Sequence, residues 1–276
     1  MPSDPTAQRP RSEIASGEWS TKPIGPRRYA ARSKGNPALV CAGDSITQGL
    51  LSANWVGQVA RAVAPTLDTV NAGVSGNLAW NLLSRLDEVI ACRPTVVTVL
   101  IGTNDALAQI SPKWSDRYVK AQRLPRRPTV QWYADNLHRI VERLTTETSA
   151  RIALMSLPPL GDTADGQWQD LIGPYNAIIH DVARHATVPV LPVHQRISGL
   201  LAVDQPLSHW DGTQKLMGAA LVRRLVLRQN WTAIARHNGF TTTTDGVHLN
   251  EPAAAQIAAL VEQFVSTNHI GTSGVS

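Results

Sequence analysis

"VCAGDSITQG", residues 40–49, decides how the rest of the chain is read. An apolar run breaks at Gly43-Asp44-Ser45 and passes into hydroxyls and a further glycine. That is the pattern of a strand ending in a tight turn before a helix. A serine at such a turn lies at the mouth of a sheet, near helix N–H groups that favour developing negative charge. Two readings are open for Ser45: a nucleophile, or an ordinary helix cap. The G-x-S-x-G elbow of lipases does not apply, because Thr47 stands where its second glycine would be.

Outward from this stretch, short β-branched runs alternate with amphipathic helical patterns. The first strand is expected over 38–42, and further strands over 69–71, 95–101, 151–156 and 188–193. Tyr133, Leu137, Ile140, Val141 and Leu144 fall at helical spacing, as do Trp168, Leu171, Ile172, Tyr175, Ile178, Ile179 and Val182. Asn250 caps a last helix that carries Pro252 in its first turn. Strand followed by helix, repeated, predicts an α/β fold: a three-layer α/β/α sandwich around a central, mainly five-stranded parallel sheet. Ligands of such sheets bind at the carboxyl ends of the strands, and each polar motif of interest falls just after a strand.

The flanks read differently. Residues 1–36 are rich in Pro, Ser, Arg and Gly without an apolar period, which predicts a disordered or extended N-terminal arm. The domain is expected over 37–270, with a flexible tail over 271–276. Two segments, 106–129 and 194–244, exceed the short connections this architecture needs. The second includes an expected helix over 214–237, with Leu216, Ala219, Ala220, Leu221, Leu225 and Ile234 on an apolar face.

The net charge of +5 is unevenly spread. Residues 1–36 carry seven cations against three carboxylates, and residues 111–129 carry six against one, so the remainder is net −4. Basicity belongs to the arm and one loop, and no aromatic-basic platform accompanies it, so no nucleic-acid partner is expected. No apolar run approaches the roughly 20 residues that span a bilayer, so no stable membrane insertion is expected. Without an apolar leader, and with only Cys41 and Cys92, the chain reads as cytoplasmic.

A serine nucleophile needs a base, and the base an orienting group. "TTDGVHLNEPAA", residues 243–254, offers Asp245 and His248, with Gly246 relieving a tight turn between them. An Asx turn beside a surface histidine is the competing reading of that spacing. An oxyanion needs donors. "NAGVSGN", 71–77, offers the backbone of Gly76, and "IGTND", 101–105, the side-chain amide of Asn104. Ser75 is a rival nucleophile by residue type alone. His209 and Asp211 in "SHWDGT" lack the further ligands a zinc site needs, so no metal is expected.

Taken in order, Gly-Asp-Ser, the glycine of Val-Ser-Gly-Asn, Gly-Thr-Asn-Asp and Asp-Gly-Val-His resemble the four blocks of the SGNH (GDSL-type) hydrolases. The resemblance runs from residue 38 to about residue 265. It implies a flavodoxin-like sheet, with Ser45 as nucleophile, His248 as general base and Asp245 as its orienting partner. It also implies an oxyanion hole of Ser45 N–H, Gly76 N–H and the Asn104 side chain; Gly76 rather than Gly73 matches the family's later glycine. The chain departs from the family in Ile46 for the usual leucine and in its two enlarged segments.

The implied function is serine-dependent hydrolysis of a carboxylic ester through an acyl-enzyme, without a cofactor. The implied partner is a small acyl ester: a short-chain ester, an acetylated sugar, a lysophospholipid or a thioester. Transient lipid contact is compatible with the apolar helical face. The alternative is a catalytically silent protein of the same fold that binds a ligand in the same cleft. Loss of one catalytic group would mark it, and none is missing.

Overall fold

β1 (Ala38–Gly43) is buried at every position, as a strand must be with neighbours on both edges and helices over both faces. In the computed structural model, which describes residues 23–33, 35–64, 66–163, 166–201, 210–212 and 215–267, β1 pairs with β2 (Asp68–Gly73) and β3 (Val96–Leu100). β4 (Arg151–Met155) and β5 (Val190–Leu191) extend the sheet to the order β2-β1-β3-β4-β5, every pairing parallel. This is the flavodoxin-like order. Connections leave to opposite faces between β1 and β3, which opens a crevice beyond their carboxyl ends. Gly43 is level with both Gly73 and Leu100, so three strands end together beneath that crevice.

α1 (Pro26–Ala30) precedes the sheet, while α2 (Ser45–Gln48) and α3 (Trp55–Val63) join β1 to β2. α4 (Ala79–Ser84) and α5 (Leu86–Ile90) follow β2. After β3 come α6 (Thr103–Leu107), α7 (Pro112–Gln122) and α8 (Val130–Glu147). α9 (Gln167–Ala186) leads from β4 into β5, and α10 (Val193–Ser198) follows. α11 (Lys215–Leu225), α12 (Trp231–His237) and α13 (Glu251–Ser266) complete the order. α3, α10 and α12 pack with α13, and α4, α5 and α9 pack with α8, giving the three layers. The helical spacing of Tyr133, Leu137, Ile140, Val141 and Leu144 is the buried stripe of α8. Among the described residues no helix is long and apolar enough to cross a membrane.

The structure departs from the sequence expectation in four places. Residues 1–22 and 34 lie outside the described residues, but 24–33 are not an extended arm. Ile24 forms a parallel bridge with Val70 and covers the outer edge of β2, and Tyr29 is buried. The fifth strand is two residues long, because Pro189 and Pro192 flank it and Pro192 opens α10. The helix expected over 214–237 is two helices: α11 ends at Leu225, Arg228 takes a left-handed φ of 51°, and Asn230 caps α12. The 106–129 segment, expected as a loop, is mainly helical, since Ser111 caps α7 and Pro112 occupies its first turn. Residues 271–276 and His209 fall outside the described residues.

Two devices hold the strand ends. Gly73 passes so close to α2 that a Cβ there would collide with the backbone of Thr47 and Gln48. Arg85 donates to Gly43 O (3.1 Å), Ala72 O (2.9 Å) and Asn77 Oδ1 (2.8 Å), tying β1, β2 and the following loop together. Arg85→Met would strand these buried acceptors. It is expected to lower the unfolding free energy by about 2–4 kcal/mol, measured by urea denaturation.

Candidate active site

The turn after β1 starts α2 at Ser45. Asp44 is its cap, accepting from Ile46 N–H at 3.0 Å, so the capping role open to Ser45 in the sequence belongs to its neighbour. Ser45 is the first residue of α2, where a backbone N–H has no intrahelical acceptor. Its hydroxyl lies 2.9 Å from His248 Nε2, across 203 residues of chain. His248 Nδ1 lies 2.8 Å from Asp245 Oδ2. An ionised carboxylate only accepts, so Nδ1 carries the proton and Nε2 of the neutral ring accepts from the serine. All three side chains are buried.

The two readings of Asp-Gly-Val-His are both present, one on each carboxylate oxygen. Asp245 Oδ1 accepts from Val247 N–H (3.1 Å) and His248 N–H (2.8 Å), an Asx-type turn, while Oδ2 faces the ring. Burial alone would lower the His248 pKa. The charge and hydrogen bond of Asp245, with a smaller contribution from Asp44, outweigh it and hold the imidazole above its ordinary value. Burial alone would raise the Asp245 pKa; the facing imidazole and the two N–H groups hold it below the usual carboxylate range.

Gly76 and Asn104 line the same cavity as the three side chains, a space of about 220 Å³. Gly76 has φ 75°, open to glycine, and a Cβ there would meet the Gln122 side chain. Asn104 is presented at the start of α6 by two buried tyrosines in contact, Tyr133 and Tyr175. Their hydroxyls donate to Ile101 O and Asp105 O, each at 3.1 Å. Asn104 Nδ2 donates to Asn77 O at 3.0 Å, joining the loops after β2 and β3, with Asp44 Oδ2 at 3.5 Å. Ser75 also lines the cavity but is exposed, and the imidazole is directed at Ser45 instead. Asp211 lies 4.0 Å from Lys215, and among the described residues no group of three His, Cys, Asp or Glu could hold a metal ion.

Four contributors were missed in the sequence. Tyr118 of α7 donates to Asn104 Oδ1 at 2.7 Å, which sets the amide with Nδ2 on the opposite side. The helix start at Ser111-Pro112 and the i, i+4 pair Trp114 and Tyr118 were its legible signals. Asp162, after β4, accepts from the backbone of Thr241, Thr242 and Thr243, which lead into Asp245. Ser52 exchanges hydrogen bonds with Leu249 and so anchors the residue after His248. Asp105 accepts from Ala79 N–H at 3.0 Å, and burial pushes its pKa up to about 8. Asp105 stands in the Gly-Thr-Asn-Asp block without a role assigned to it there, and no local pattern marks Asp162 or Ser52.

The sequence profile of the GDSL-like Lipase/Acylhydrolase family matches residues 41–255. The chain belongs to this family. A GDSL esterase/lipase of Arabidopsis thaliana is 32% identical over 136 residues, 48% of this chain and 52% of that protein. The matched segment thus spans about half the length of that curated relative. The acetylxylan esterase Axe2 of Geobacillus stearothermophilus superposes with a TM-score of 0.60 at 17% identity, covering 83% of this chain and 94% of its own. A lipase/acylhydrolase from Enterococcus faecalis gives 0.55 at 21% identity, covering 83% and 95%. At these identities the two structures share the fold.

The Asp245–His248 pair also makes stability depend on pH. The raised His248 pKa contributes fully below the unfolded value near 6.5 and is lost as pH rises through the folded one. The lowered Asp245 pKa contributes above its unfolded value near 3.9 and is lost as pH falls through the folded one. Asp245→Asn is therefore expected to lower Tm most between about pH 4 and about pH 6.5. In the same variant the His248 ring resonances should titrate at lower pH than in the wild type, read by NMR.

Proposed function

We propose that the protein hydrolyses carboxylic esters through an acyl-Ser45 intermediate. The observation that carries this reading is the hydrogen-bonded run Asp245 Oδ2–His248–Ser45 Oγ, opening into a cavity also lined by Gly76 and Asn104. In the first half-reaction His248 Nε2 takes the Ser45 proton as Oγ attacks the acyl carbon. The tetrahedral oxyanion then sits toward Ser45 N–H, Gly76 N–H and Asn104 Nδ2. Collapse breaks the ester C–O bond, and the imidazolium passes its proton to the departing alkoxide, releasing the alcohol. Water then attacks the acyl-serine with His248 again as base, releasing the carboxylic acid and restoring Ser45.

Asp245 stabilises the imidazolium formed in each half-reaction and holds the ring by its Nδ1 proton. Tyr118 positions Asn104 for the oxyanion. A cavity of about 220 Å³ suits a short acyl group. We place the reaction in the cell interior, in keeping with Cys41 and Cys92, both buried and unpaired. A silent binder would not need the complete Ser45–His248–Asp245 set.

On p-nitrophenyl acetate, Ser45→Ala is expected to leave only background hydrolysis and to lose labelling by a fluorophosphonate. Full activity in that variant would sink the proposal. Asn104→Ala should fold and turn over about 10²–10³-fold more slowly, the usual effect of losing one oxyanion donor. Because the base must be neutral, kcat/KM should rise with pH through a limb above the ordinary imidazole value, and Asp245→Asn should move that limb down.

A further inference from the structure

A second, larger cavity of about 950 Å³ lies between α7 and α11. It shares Trp114, Arg117 and Met217 with the cavity at Ser45, so the two adjoin across these side chains. Lys113, Arg117 and Lys120 recur at i, i+4 and i+7, which places them on one face of α7, the face that lines this space. Lys215 lines it from α11, a segment distant in sequence.

The cations of the basic segment are sorted by the fold. Arg126 stacks over Trp132 at 5.0 Å, outside the cavity. Arg127 pairs with Asp116, the one carboxylate among the described residues that line the cavity, through two hydrogen bonds of 2.7 and 2.8 Å. Asp116 is thereby matched, and the Lys113, Arg117, Lys120 and Lys215 side chains line the open space, Lys215 with Asp211 at 4.0 Å. Arg117 stands over Trp114, 5.4 Å from the ring centroid, at the boundary of the two cavities. Outside the arm and this segment the chain is net −4, so the groove is a local positive field on an otherwise acidic body.

We propose that the α7–α11 groove binds a phosphate group on the alcohol or thiol portion of the substrate while the acyl group occupies the smaller cavity at Ser45. This rests on the ester-hydrolase reading above. Three ammonium groups and one guanidinium spread around an open groove suit a multiply charged tetrahedral anion better than a planar carboxylate, which favours a guanidinium fork. A neutral sugar or alkyl alcohol would bring no counter-charge to the Lys113, Arg117 and Lys120 face of α7, whose neighbouring Asp116 is taken by Arg127.

The test compares acetylated glycerol phosphate with monoacetylglycerol, and acetyl-coenzyme A with acetyl-pantetheine, at low ionic strength. Within each pair the phosphate-bearing compound is expected to show at least about tenfold higher kcat/KM, a preference that falls as salt rises. The pair that shows it identifies a glycerol phosphate or a nucleotide phosphate as the recognised group. In the triple variant Lys113→Gln, Lys120→Gln, Lys215→Gln that ratio should drop toward one, whereas Arg126→Gln should keep it. Reading the ratio cancels any general loss of activity. Equal kcat/KM within both pairs, or an undiminished ratio in the triple variant, would overturn the phosphate site and leave the esterase reading intact. Absence of Ser45-dependent hydrolysis of every ester would instead overturn the reaction. Calorimetric binding of acetylated glycerol phosphate and of acetyl-coenzyme A to Ser45→Ala then decides the groove independently: uptake of either that the triple substitution abolishes supports it, and no uptake of either refutes it.

Discussion

The candidate site depends on one clamp between distant parts of the chain. Leu249 N–H donates to Ser52 Oγ at 3.0 Å, Ser52 Oγ donates to Leu249 O at 3.2 Å, and Ala53 N–H donates to the same carbonyl at 2.8 Å. These bonds hold the backbone next to His248 against the segment that follows α2. A ring nitrogen must come within about 3 Å of the serine oxygen to take its proton. Flexible surface loops do not hold that tolerance across 203 residues. The clamp does so with buried backbone groups, where an unmade hydrogen bond is costly.

The electrostatics follow from the same burial. Asp44, Asp105, Asp245 and His248 all sit under the rim of the sheet with little water. Burial pushes the Asp44 pKa up to about 6, against the pull of Ile46 N–H and His248. Asp105 rises to about 8 with only the Ala79 N–H and its own backbone to oppose burial. Asp245 moves the other way, because two N–H groups and an imidazole face it. Three carboxylates near one crevice thus hold a proton with different strength according to their partners, and the one that holds it least is the one that faces the histidine.

Much of the architecture was legible beforehand. The buried stripe of α8 and the Asn250 cap of α13 stand where the spacing put them, because period and capping are local properties. The errors also have local causes that competing signals hid. Prolines truncated β5, a left-handed Arg228 divided the helix expected over 214–237, and Ser111-Pro112 turned an expected loop into α7. The alternatives at Ser45 and Asp245 could not be separated from sequence, since turn and cap residues are the same types that serve catalysis. In the fold Asp44 takes the cap, and Asp245 serves the turn and the ring with different oxygens.

By itself the sequence determined which residue types follow which strands: the order Gly-Asp-Ser, Gly-Asn, Gly-Thr-Asn-Asp and Asp-Gly-Val-His, and an alternating pattern that builds a parallel sheet. Only the tertiary structure decided which of them meet. Tyr118 reaches Asn104, Asp162 holds the 241–243 backbone, and Lys215 joins the cations of α7. The first joins neighbouring helices 14 residues apart, and the other two join segments far apart in the chain. Their partners are selected by the level ends of β1, β2 and β3 and by the packing above them, and no local spacing in the sequence encodes that geometry.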